Sequence, residues 1–120
     1  MSKHSPQERP VNPAAGKILL TGASGYVGRN LLEALEHRGE SIICVARRPK
    51  VVRSVCKEST EVVEGDVFDI DSLKLAMKGV HTAYYLIHCL HYGSDFEALD
   101  RQAADNFARA AQDAGVRRII

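Results

Sequence analysis

Three glycines spaced three residues apart, in the stretch Thr21-Gly22-Ala23-Ser24-Gly25-Tyr26-Val27-Gly28, constrain this chain more than any other feature. They follow a short apolar run, Lys17 to Thr21, which suits a buried strand. They precede a stripe of Val27, Leu31, Leu32 and Leu35 at helical spacing, which Gly39 can terminate. A strand running straight into a helix through such a loop needs glycine for three reasons. One allows the tight turn off the strand, one lets a phosphate group approach the backbone, and one lets the helix pack closely on the sheet. The start of the helix then offers free N–H groups and the positive end of its dipole to an anion, and Ser24 adds a hydroxyl donor.

The rest of the chain repeats the alternation. Ser41 to Ala46 reads as a second strand, followed after Pro49 by a weaker helical stretch through Lys57. Glu61 to Glu64 reads as a third strand. Asp69 or Asp71 can cap a helix carrying Leu73, Leu75, Ala76 and Met77 that stops at Gly79. Val80 to Ile87 reads as a fourth strand. A last helix starts near Ser94 or Asp95, shows an apolar face through Phe96, Leu99, Ala103, Phe107, Ala110 and Ala114, and ends at Gly115. Val116 to Ile120 then opens a fifth strand. Strands alternating with helices predict an α/β fold, a doubly wound, Rossmann-like parallel sheet. Right-handed crossovers give it the strand order 3-2-1-4-5, with the chain truncated after strand 5. Residues 1–16 hold Pro6, Pro10 and Pro13 without periodicity and are expected to form a flexible N-terminal tail. Residues 17–120 form the single, incomplete nucleotide-binding domain.

Ligand preference is written at the end of the second strand. A carboxylate there would grip a ribose 2′-hydroxyl, but the chain reads Ala46-Arg47-Arg48, and two guanidiniums suit a 2′-phosphate or stack on adenine. Lys50, Arg53 and Lys57 extend the basic patch, so NADP(H) is the preferred ligand and NAD(H) a possible one. After the third strand, Asp66 can accept from an adenine amino group while Val67 packs on the ring; the alternative for Asp66 is a turn cap.

Composition narrows the partners. With 16 Lys and Arg against 15 Asp and Glu the net charge is +1, which gives no electrostatic footprint for nucleic acid. No apolar run approaches the length of a membrane helix, and the charged and proline residues near the start do not fit a signal peptide. Cys44, Cys56 and Cys89 form no CxxC, which favours a reducing, cytoplasmic setting. His88, Cys89 and His91 lack the spacing of a metal site, and none is expected.

With these segments assembled, the chain resembles the extended and atypical branches of the short-chain dehydrogenase/reductase superfamily, which include epimerase/dehydratase-like and nitrogen-metabolite-repression-regulator-like proteins. TGASGYVG at 21–28, VARRP at 45–49, GDVFD at 65–69, AYYLIH at 83–88 and NFARAAQDAGVRRII at 106–120 carry the resemblance. It implies a phosphate loop of Gly22, Ser24, Gly25, Tyr26, Val27 and Gly28. It also implies 2′-phosphate contacts from Arg47 and Arg48, adenine contacts from Asp66 and Val67, and a ribose neighbourhood at Leu86, Ile87 and His88. Catalytic members use a Tyr-x-x-x-Lys pair. Here Tyr26, Tyr84, Tyr85 and Tyr92 are followed four residues on by Asn30, His88, Cys89 and Phe96, so no catalytic residue is assigned. The expectation is an NADP(H)-binding domain of an oxidoreductase or nucleotide-sugar-epimerase-like protein whose catalytic part is absent from this chain. A non-catalytic redox-sensing module and a fragment without independent function are the alternatives. A homo-oligomer through the sheet edge or the final helix is possible.

Overall fold

The computed structural model describes residues 16–87 and 96–120. The expected tail lies outside them apart from Gly16, as do His88, Cys89, His91 and the expected start of the last helix at Ser94 or Asp95. Among the described residues, strands β1 (Lys17–Thr21), β2 (Ser41–Ala46), β3 (Glu61–Glu64), β4 (Val80–Tyr85) and β5 (Arg118–Ile119) alternate with helices. These are α1 (Tyr26–His37), α2 (Pro49–Arg53), α3 (Ile70–Ala76) and α4 (Phe96–Ala114). All four strand pairings are parallel and the order is β3-β2-β1-β4-β5, as the alternation predicts.

Burial of the strands on both faces explains their near-continuous apolar character. Along β1 and β2 successive side chains point to opposite sides. Leu19, Ile43 and Val45 pack with Leu73, Met77, Ala103, Phe107 and Ala110 of α3, α4 and the turn after α3. Leu20, Ile42 and Cys44 pack with Leu32, Leu35 and Val52 of α1 and α2. Each fully buried large side chain stabilises the fold by roughly 1.5–3 kcal/mol relative to exposure. Tyr85 stacks its ring on Phe107 at 4.9 Å between centroids, joining β4 to α4. Burial also raises the thiol of Cys44 from 9.0 to about 12, with the neighbouring Cys56 and Glu36 adding to the effect. Cys44 is therefore a small neutral core group.

Several boundaries and faces differ from the sequence expectation, each for a local reason. Val27 is 62% exposed, because the inner stripe of α1 runs through Gly28, Leu32 and Leu35 rather than through Val27. Leu75 is 66% exposed, since α3 turns Leu73, Ala76 and Met77 inward and a residue two positions from Leu73 points away. Helix α2 stops at Arg53 rather than Lys57. The Ser54 hydroxyl bonds back to the Val51 carbonyl at 2.7 Å, and the Arg53 guanidinium turns to the Thr60 carbonyl and the Cys56 sulfur. Strand β4 ends at Tyr85, the register partner of Thr21, because β1 ends there and Leu86 has to pass over the glycine loop. Strand β5 starts at Arg118, since the Val116 amide still donates to Ala111 at the end of α4.

Among the described residues no helix is long and apolar enough to cross a membrane.

Candidate functional site

A cavity of about 390 Å³ opens at the carboxyl ends of β1, β2 and β3, where a doubly wound sheet leaves its ligand crevice. Its floor is the loop Thr21, Gly22, Ala23 and Ser24. One wall is Val45 to Arg48 with Val51 of α2, the other is Gly65 to Phe68, and Ile87 closes the side toward β4.

The loop geometry divides the work among the three glycines. Gly22 has φ +84°, a conformation that strains any residue with a side chain, and a Cβ there would strike the Leu86 carbonyl. Gly28 is helical, yet a Cβ on it would collide with the Gly22 carbonyl and lie 2.9 Å from the Ala23 Cα, so its role is to let α1 sit against the loop. Gly25 is different. Its φ is −82°, ordinary for any residue, and a Cβ would find the Gly22 oxygen at an unstrained 3.6 Å. Nothing inside the fold requires glycine at 25, which leaves the approach of an external group as the reason for it.

The helix behind the loop is open in the same sense. Gly25 is the N-cap of α1, no side chain accepts from the first turn, and no acidic residue lies in that turn. Arg29 donates the first helical bond, to Gly25, at 2.8 Å, so the amides of Tyr26, Val27 and Gly28 precede the helical ladder. Such an end is a ready anion site.

The wall at Gly65 to Asp69 is closed by its own hydrogen bonds. The Asp66 amide donates to the Ser72 hydroxyl at 3.0 Å, and the Phe68 amide donates to Asp66 Oδ1 at 2.9 Å. Asp69 caps α3 by accepting from the Ser72 amide, and Asn106 of α4 donates its side-chain amide to the Val67 carbonyl at 2.9 Å. Asp66 therefore does cap a turn, and its carboxylate, with two oxygens, has acceptor capacity beyond that bond. Gly65 admits the crossing of this wall over β2, since a Cβ there would lie 2.8 Å from Val45 Cγ1.

Of the residues singled out in the sequence, Gly22, Ser24, Arg47, Arg48, Asp66, Val67 and Ile87 line the cavity. Gly25 and Gly28 shape its floor from behind. The Tyr26 side chain is 84% exposed and, like that of Val27, lies outside the lining. What these two residues bring to the cavity is backbone. Leu86 packs its side chain on the α1 side of the sheet and its carbonyl against Gly22. The basic patch separates: Arg47 and Arg48 reach the cavity, whereas Arg53 is spent on the loop at Cys56 and Thr60, and Glu36 accepts from the Lys57 amide at 2.8 Å. Arg47 also borders a shallower recess with Glu64, Asp66 and Asp69. Sequence reasoning did not single out Phe68, Val51 or Asn106 for the site. Exposed apolar residues beside a motif were the available signal for the first two.

An open helix end, a glycine with room for a side chain it does not carry, and a crevice at the ends of parallel strands define a nucleotide-binding Rossmann domain. The chain belongs to the NAD(P)H-binding family, whose pattern matches residues 22–120, and its resemblance to the short-chain dehydrogenase/reductase superfamily holds. It is 33% identical over 108 residues to sterol demethylase protein B of Methylococcus capsulatus, covering 85% of this chain and 32% of that protein. It is 28% identical over 115 residues to a 3 beta-hydroxysteroid dehydrogenase/Delta 5→4-isomerase of Mycobacterium tuberculosis, covering 88% of this chain and 30% of that one. Among solved structures, the Citrobacter sp. triphenylmethane reductase complexed with NADP(H) superimposes with a TM-score of 0.72 at 30% identity, over 85% of this chain and 35% of that one. The chain thus spans about a third of the length of the relatives it matches, and the part matched is an NAD(P)-binding domain.

Proposed function

We propose that this domain binds NADP(H) in preference to NAD(H) and serves as the cofactor-holding part of an oxidoreductase or epimerase-like protein. The observation that carries the preference is the end of β2, where Arg47 and Arg48 line the cavity at the place a 2′-hydroxyl binder would put a carboxylate. In this reading the amides of the first turn of α1 and the Ser24 hydroxyl hold the pyrophosphate, with Gly25 leaving room for it. Arg48 and Arg47 hold the 2′-phosphate, Asp66 accepts from the adenine amino group, and Val67 packs on the ring. Ile87, with Leu86 and His88, borders the ribose side. A bound nicotinamide would supply the hydride chemistry; the chain's own residues position it. The reductase complexed with NADP(H) supports the same cofactor choice.

Titration calorimetry tests it. NADPH should bind at least tenfold tighter than NADH, and an Arg47→Ala, Arg48→Ala double variant should lose about 10–100-fold for NADPH while NADH changes little, as expected for one or two lost charge-assisted contacts. Tighter NADH than NADPH binding, or a double variant with unchanged NADPH affinity, would sink the assignment.

A further inference from the structure

The bond from Asn106 to the Val67 carbonyl is 2.9 Å long and spans 39 residues of sequence. Its acceptor is a backbone oxygen, so the bond requires the amide nitrogen of Asn106, a donor that an aspartate in the same place does not have. Asn106 stands on a rigid base. Ala103, Phe107 and Ala110, beside it on α4, are 0%, 1% and 0% exposed, and Phe107 is held in turn by the Tyr85 ring. The residue it grips is equally constrained, since Val67 is 7% exposed, belongs to the core on the α3 and α4 side, and also lines the cavity. The bonds from Asp66 to Ser72 and from Phe68 to Asp66 fix the shape of this loop from within. Asn106 fixes its place relative to another element.

We propose that Asn106 is a positioning residue for purine recognition, its amide holding the Val67 carbonyl so that the wall Asp66 to Phe68 meets an adenine and disfavours a 6-oxopurine. The inference rests on the reading that Asp66 and Val67 contact the adenine. A carboxylate set at the right place accepts from a 6-amino group, whereas a 6-oxo group turns an acceptor toward an acceptor. A site built for one hydrogen-bond pattern rejects the other only as far as its groups are held still. Asn106 touches no ligand in this scheme. It acts through Val67.

The test compares NADPH with its deaminated analogue, nicotinamide hypoxanthine dinucleotide phosphate, on the full chain and on two variants, Asn106→Ala and the isosteric Asn106→Asp, each checked for folding by urea titration. The wild-type chain should prefer NADPH by about tenfold or more, the scale of one lost hydrogen bond left with an opposed acceptor. Both variants should reduce that ratio below about threefold, while the preference for NADPH over NADH, set at the opposite wall, persists. A general loss of structure would weaken both purines alike and leave the ratio intact. An unchanged ratio in a folded Asn106→Asp variant therefore overturns the proposal, whatever Asn106→Ala does. If the wild-type chain binds NADPH without discriminating, the role of Asp66 fails and this inference fails with it. If it binds neither dinucleotide, the proposed function itself is wrong.

Discussion

The loops after β1 and after β3 stand on either side of one cavity and are built on opposite plans. Between Gly22 and Gly28 the chain carries almost no side chains inward, and the first turn of α1 has no cap and no acid. Between Gly65 and Ser72 nearly every polar group is answered from within the protein. Asp66 and Asp69 take amides, the Ser72 hydroxyl takes one and donates to the Asp69 carbonyl at 2.7 Å, and Asn106 takes the carbonyl of Val67. The difference suits two parts of one ligand. A pyrophosphate needs donors that nothing else has satisfied, and a purine needs a wall whose shape does not change.

Breaking the first loop should have the largest effect. Gly28→Ala puts a methyl into the Gly22 carbonyl, and overpacking of that kind costs about 1–3 kcal/mol, more than the gain of about 1 kcal/mol that alanine brings to a helix. The expected outcome is a lower urea midpoint together with NADPH binding weakened beyond tenfold. Gly25→Ala sharpens the contrast, because the fold has room for its methyl. Stability should stay within about 0.5 kcal/mol while NADPH affinity falls about tenfold, as a group that crowds the phosphate displaces two or three amide contacts. Equal losses of stability in the two variants would contradict the assignment of Gly25 to the ligand. On the other side of the cavity Asp69→Ala should do the reverse. Losing the cap of α3 costs about 1 kcal/mol in a urea titration, and NADPH affinity should change less than threefold, since Asp66 and Val67 keep their own ties.

Much of the fold was legible because its signals are local. Strand order follows from alternation and handedness, and the loop follows from three glycines in a fixed spacing, none of which depends on a distant contact. The arginines of the second strand end were legible for the same reason. Less legible were the inner faces of short helices. Val27 and Leu75 look apolar enough to be core, but which side of α1 and α3 meets the sheet is decided by the docking angle of the whole helix. Arg53 and Lys57 read as members of one basic patch with Arg47 and Arg48. Only the turn after α2 sends Arg53 away from the cavity and toward Thr60.

The sequence by itself determined a doubly wound sheet, a phosphate loop and a basic rather than acidic β2 end, because each is specified by neighbours within a few residues. The tertiary structure decided which glycine serves the fold and which the ligand, since that depends on what a Cβ would strike across the loop. It also decided that Asn106 closes the far wall of the cavity. Residues 67 and 106 become partners only when α4 packs against α3 and the sheet, and no pattern along the chain encodes that meeting.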